Sequence, residues 1–259
     1  MPSYLSEKDR KPPADSFSEG NVLPLKIKGA QPADSMGWSH VSRVAVETKD
    51  GSKSEIVLKR LKIKTRSEVQ SVLAQNVNFY NLLKSFPGFQ KFLPPTFHFI
   101  ARDNPETEPQ AYHLQPFIAG KALDQITDQE LYSDTEVVRQ LLELVNLLEA
   151  ILAKHKRENL PRPDLLRTPR RAKFRAAVGG ALADPRYTSN IMIADKPDQN
   201  EQRVFFVDTA QNGDERIGKF AGKLQIFISN LSQGRLLKTW KKKLESALAK
   251  NLERMAHNL

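Results

Sequence analysis

Cysteine is absent from all 259 residues, which removes disulfides, thiolate zinc sites and cysteine nucleophiles from consideration. Long apolar runs are missing as well: no segment approaches the roughly 20 residues that a membrane-crossing helix needs. The opening stretch Met1-Pro-Ser-Tyr-Leu-Ser-Glu-Lys-Asp-Arg-Lys-Pro-Pro13 lacks the apolar centre of a signal peptide. Residues 1–20 are therefore expected to be a disordered lead-in to a soluble, cytoplasmic protein. Histidine is sparse, and His40, His98, His113, His155 and His257 form no metal-ligand spacing. No serine stands in a Gly-x-Ser-x-Gly elbow, so hydrolytic chemistry has little support.

Positive charge is what the chain has in excess. Lys and Arg number 40 against 30 Asp and Glu, a formal charge of +10. That balance favours anionic partners, whether nucleotides, phosphorylated substrates, nucleic acid or acidic membranes, without choosing among them. Residues 154–175 carry Lys154, Lys156, Arg157, Arg162, Arg167, Arg170, Arg171, Lys173 and Arg175 against only Glu158 and Asp164. Two readings of this stretch stay open, an anion-binding segment or a solvated connector. Lys238-Thr-Trp-Lys-Lys-Lys243 is a second cluster. Aromatic residues rarely interleave with either cluster, so stacking platforms for single-stranded nucleic acid are not evident.

Hydrophobic content of 39% is enough for a substantial core, as one large domain or two. Residues 22–27, 41–48 and 55–61 read as strands, the last two joined by the turn Lys49-Asp-Gly-Ser-Lys53. Residues 67–85 fit a helix with Val69, Val72, Leu73, Val77, Tyr80 and Leu83 near one face, ended by Pro87-Gly88. Strands at 96–101 and 111–118 complete an expected five-stranded sheet with one inserted helix. His98 and His113 lie in those strands, where packed histidines are commoner than ligands.

Beyond residue 118 the pattern turns helical. Ser133-Asp-Thr-Glu136 reads as a capping box ahead of an apolar stripe running from Val137 to Leu152. Residues 220–232 and 236–255 read as two closing helices. Between them and the stripe lie two short apolar runs, Ile191-Met-Ile193 and Phe205-Phe-Val207, flanking the turn-rich stretch 194–201. This is a hairpin with a longish loop. Pairing Ile191 with Phe206 sets Asn190 opposite Val207 and beside Asp208. An amide oxygen next to a carboxylate suits Mg²⁺ carrying a nucleotide phosphate, while the plainer reading is a surface hairpin that ends in polar residues.

This order of elements resembles the protein kinase-like fold, most closely its aminoglycoside-phosphotransferase and choline-kinase branch, over roughly residues 22–255. Ile56-Val-Leu-Lys59 is similar to the family's strand lysine, so the resemblance implies that Lys59 holds the ATP phosphates. Leu114-Gln-Pro-Phe-Ile-Ala-Gly-Lys-Ala-Leu123 resembles the linker between lobes, implying that backbone near Gln115 and Phe117 meets adenine. Asn190 and Asp208 match the magnesium ligands. The chain departs from the family in three places. Asp184 is the nearest carboxylate before Asn190, one residue early for the catalytic aspartate. Asn76 stands where the inserted helix supplies a glutamate to the lysine, with Glu68 a distant substitute. The first loop offers only Gly29 and Gly37 to cradle phosphates.

The resemblance thus implies an α+β, two-lobed architecture: a disordered segment at 1–20, a five-stranded antiparallel N-terminal lobe at 21–118 and a mainly helical lobe at 119–259. It implies an ATP- and Mg²⁺-dependent phosphotransferase with Asp184 as base. A catalytically impaired, nucleotide-binding scaffold is the alternative, and a basic nucleic-acid binder is a third.

Overall fold

The computed structural model describes residues 23–24, 31–33, 39–47, 53–61, 66–102, 108–158, 190–207 and 219–257. The chain divides into two compact units, Met1–Asn81 with Pro95–Phe117, and Leu82–Pro94 with Ile118–Leu259. The architecture is α+β, and no helix among the described residues is long and apolar enough to cross a membrane.

In the first unit the strands are β1 (Leu23–Pro24), β2 (Gln31–Ala33), β3 (Ser39–Glu47), β4 (Lys53–Leu61), β5 (Phe97–Arg102) and β6 (Gln110–Pro116). They form one sheet in the order β1-β5-β6-β4-β3-β2. Among the described residues six strands stand where five were expected, and the sheet is not purely antiparallel, because β1 runs parallel to β5. Of the stretch read as a strand over 22–27, the described residues Leu23 and Pro24 stand in strand geometry, paired with Ala101 and Arg102. Proline accounts for both edges: Pro24 and Pro32 have no N–H to give a ladder, which confines such strands to the rim. At the centre, β3 and β4 pair in unbroken register from Ser39↔Leu61 to Glu47↔Lys53.

Helix α1 (Arg66–Ser85) follows β4 within a residue of the expected limits. Its Val69, Leu73, Val72 and Val77 pack with Leu61, Ile100 and Ala111 on one sheet face. The opposite face carries Leu58, Ala101 and Tyr112 with Val44, Phe99 and Leu114, and the Phe99 and Tyr112 rings stack at 5.5 Å. Apolar groups therefore line both faces of the sheet.

The second unit begins in the last turn of α1. Gly88 adopts φ 82°, a left-handed conformation that glycine enters without steric cost, and it turns the chain into a 3₁₀ turn over Phe89–Phe92. Helix α2 (Asp128–Ser133) and helix α3 (Thr135–Glu158) follow. A capping box is present, but at Thr127 and Glu130 on α2. Helix α3 is capped by Asp134, not Ser133: the Asp134 carboxylate accepts from the Val137 N–H at 3.1 Å. Aspartate is as good a cap as serine, and here Arg203 also fixes its orientation.

Val137, Val138, Leu141, Leu144, Val145, Leu148 and Ile151 of α3 are buried, the wide apolar arc that the sequence displays. They pack with helix α4 (Lys219–His257), whose Leu236, Leu237, Trp240 and Leu244 are buried in turn. The two closing helices expected at 220–232 and 236–255 are one continuous helix. Gly234 does not break it; a Cβ there would sit 3.7 Å from Leu152, ordinary contact distance. A glycine inside a helix costs only about 1 kcal/mol, which packing along the flanking turns outweighs.

Candidate functional site

A three-stranded sheet in the second unit, ordered β7-β8-β9, carries the hairpin singled out above. Its strands are β7 (Gly120–Ala122), β8 (Ile191–Ala194) and β9 (Val204–Phe206). Ile191 pairs with Phe206, the register expected from the sequence. One further bond extends the ladder, from the Val207 N–H to the Asn190 carbonyl at 2.8 Å. Behind this end of the hairpin, Ile191, Val204 and Phe206 are fully buried, and Phe206 meets the edge of Phe89 with ring centroids 5.8 Å apart. Asn190 itself is only 2% exposed. Asp208, the next residue after Val207, and Asp184 both lie outside the described residues.

The long hairpin loop is organised by its own side chains. The Asp198 carboxylate accepts from the backbone N–H groups of Asn200 and Gln202, both at 2.8 Å. Such side-chain-to-backbone bonds let aspartate close a turn that ladder hydrogen bonds would leave open. Glu201 takes a positive φ of 60° to complete it.

Gln140, on the buried face of α3, fixes the second strand. Its Oε1 accepts from the Arg203 N–H at 2.9 Å and the Val204 N–H at 3.1 Å. Its Nε2 donates to Glu136 Oε1 at 2.7 Å and to the Glu201 carbonyl at 2.9 Å. One amide thus holds three backbone groups at the entrance to β9. Arg203 adds a second clamp, donating from Nε to the Ala194 carbonyl at 3.1 Å and pairing with Asp134. Nothing in the sequence flags Gln140, because a polar residue in an apolar helix stripe reads as a gap in the pattern.

The Ile118-x-Gly120-x-x-Leu123 pattern now has a physical cause. A Cβ on Gly120 would lie 2.1 Å from the Ile193 carbonyl oxygen, so only glycine allows β7 to approach β8. Leu123 is fully buried one turn later. Beside this strand is a hollow of about 150 Å³ lined by Lys121, Glu130, Asp134, Asp195 and Arg203 among others. Lys121 pairs with Glu130 at 3.0 Å. The Thr127 backbone N–H and then the Lys121 ammonium hold the exposed Glu130 carboxyl down at about 2.

In the first unit, Lys59 is half-buried on β4, opposite Val41 of β3 and His113 of β6. His98 of β5 is the next residue across, its ring edge-on to His113 at 4.4 Å and 5.7 Å from Tyr80 of α1. Burial pushes His98 down to about 4, so its imidazole is neutral at neutral pH. Asn76 is 1% exposed, and its Nδ2 donates to the Val72 carbonyl one turn back at 2.6 Å. Glu68 lies in α1 with its side chain outside the described residues.

Gln115 donates to Thr96 Oγ1 at 2.8 Å, and the Phe117 N–H donates to the Glu55 carbonyl at 2.9 Å. That N–H is therefore engaged in the sheet. The Phe117 ring lies 3.8 Å from the Arg43 guanidinium, which forks onto Glu55. Gly29, Gly37, Arg162, Arg167, Arg170 and Arg171 lie outside the described residues, as does the side chain of Arg157 at the end of α3. Among the described residues no cluster of three or more His, Asp or Glu side chains forms a metal site.

No protein-family model matches this chain, and no curated protein matches it significantly in sequence.

Proposed function

We propose that the protein is an ATP- and Mg²⁺-dependent phosphotransferase with a protein kinase-like, two-lobed fold, acting in the cytoplasm on a hydroxyl of a small molecule or protein side chain. The hairpin register carries this reading. Asn190 is buried at the open end of β8 and bonded to Val207, and Asp208 follows Val207 in the chain. An amide oxygen and a carboxylate are hard donors that fit magnesium. The fully buried Ile191 and Phe206 give Asn190 a rigid base, and phosphoryl transfer depends chiefly on such positioning.

Magnesium and nucleotide, when bound, supply a γ-phosphoryl group whose charge is partly neutralised. Lys59 would hold the phosphates from the central strand of the first unit. Asp184 would orient the acceptor hydroxyl or take its proton. The basic residues Arg157, Arg162, Arg167, Arg170 and Arg171 are candidates for an anionic acceptor.

One observation favours the alternative, a nucleotide-binding scaffold that does not turn over. Asn76 occupies the position of the family's glutamate, and its amide is engaged by its own helix at Val72. The two readings separate in one experiment, magnesium-dependent ATP turnover and ATP-induced thermal stabilisation of the wild type and Asp208→Ala. The phosphotransferase reading expects turnover that falls roughly a hundredfold in the variant. Stabilisation by ATP without turnover selects the scaffold. Neither effect, in protein shown to be folded, would sink both.

A further inference from the structure

We propose that the outer face of α4 is a docking surface for the phosphate backbone of duplex nucleic acid, independent of the phosphotransferase reading. Helix geometry places residues 235, 238, 242, 246 and 249 on one stripe, with 243 and 250 along its flank. Arg235, Lys238, Lys242, Lys243 and Lys250 occupy five of those positions, and all are exposed. Glu245 borders the stripe and Glu253 ends it. Lys241, on the side nearer α3, is held by Glu149 at 3.5 Å and does not belong to the stripe.

Axial spacing fits a polyanion. Arg235 to Lys238 rises about 4.5 Å and Lys238 to Lys242 about 6 Å at 1.5 Å per residue. Cations thus recur about every 5 Å from Arg235 to Lys243, and Lys250 follows about 10.5 Å further on, a density that can neutralise several phosphates along a backbone. The residues between the cations are Thr239, Ser246 and Ala249, which are small and carry no ring. Single-strand binders need aromatic platforms, and the aromatic residue of this stretch, Trp240, is 1% exposed in the core.

A membrane surface fits less well. An interfacial helix inserts the apolar face opposite its charges, and here Leu237, Trp240 and Leu244 are buried. The exposed Leu252 and Met255 lie beyond the stripe, in the last turns. A backbone-tracking helix face, with the chain's net charge of +10 behind it, selects duplex shape and charge over base sequence.

The test is fluorescence anisotropy of a labelled 20-base-pair random DNA duplex, titrated with the full chain between 50 and 200 mM NaCl. A Lys238→Gln/Lys242→Gln/Lys243→Gln variant should lose at least tenfold in affinity at the lowest salt. Its log K against log salt slope should fall by about 2.7, near 0.9 per phosphate contact removed. Lys196→Gln, an exposed lysine in the hairpin loop, should leave both unchanged, and circular dichroism should show all variants equally helical. Absence of duplex binding at 50 mM salt, an unaltered slope in the triple variant, or preferential binding to phosphatidylserine vesicles or to the single strand would each overturn the proposal.

Discussion

Replacing Gln140 with leucine tests whether one buried amide holds the hairpin in register. Leucine keeps the volume and suits the apolar stripe of α3, so packing alone predicts little change. Hydrogen bonding predicts otherwise. The Arg203 and Val204 N–H groups lose their acceptor and the Glu201 carbonyl loses a donor. Val204 is fully buried, so water cannot replace its lost partner, whereas Glu201 is exposed and rehydrates. Orphaned buried groups cost about 1–3 kcal/mol each, which puts the variant about 3 kcal/mol below the wild type. The assay is urea unfolding followed by fluorescence of Trp240, buried in the same unit, in a Trp38→Phe background that leaves it the sole tryptophan. With a slope of about 2 kcal/mol/M the midpoint should fall by about 1.5 M. Gln140→Glu retains the acceptor but faces the Glu136 carboxylate, and it should lie between the two. A midpoint for Gln140→Leu within about 0.3 M of wild type would refute the reasoning, because stripe packing would then suffice to align β9.

Three further outcomes follow from single sites. Gly120→Ala drives a methyl into the Ile193 carbonyl, so β7 must separate from β8 at a cost of about 2 kcal/mol or more, seen as a lowered melting temperature. Gly234→Ala should instead stabilise by about 0.5–1 kcal/mol through helix propensity, since its new methyl meets Leu152 at contact distance; a loss of stability would mean that α4 is not continuous there. His98 has a folded value near 4 against 6.5 unfolded, so the unfolded chain binds the proton first as pH falls. Its contribution is whole above pH 6.5 and is lost between 6.5 and 4, by about 3 kcal/mol at most. His98→Leu should remove that part of the pH dependence, and an identical stability profile in wild type and variant would contradict it.

Features set by near neighbours were legible in the chain. The β8–β9 register followed from two apolar runs and the turn residues between them, because side chains alternate with a period of two and a slip would expose Ile191 and Phe206. The limits of α1 followed from its periodicity and from Pro87-Gly88, and the arc of α3 from its leucines and valines. The resemblance to kinases rested on short motifs of the same local kind. One of them, Ile-x-Gly-x-x-Leu, marks a close strand approach and a core leucine as much as a linker.

What the chain could not announce were the contacts between residues far apart in sequence. Asp134, the cap of α3, pairs with Arg203, and Gln140 bonds to backbone groups more than sixty residues away. The edge strands β1 and β2 exist because neighbouring strands offer them ladders, not because their own proline-bearing sequences favour extension. Gly234 lies inside a helix because α3 packs beside it, where propensity alone would have ended the element. Sequence fixes local conformation through short-range sterics and hydrogen bonds; partners across the fold are chosen only when burial brings them together and leaves their polar groups no water to turn to.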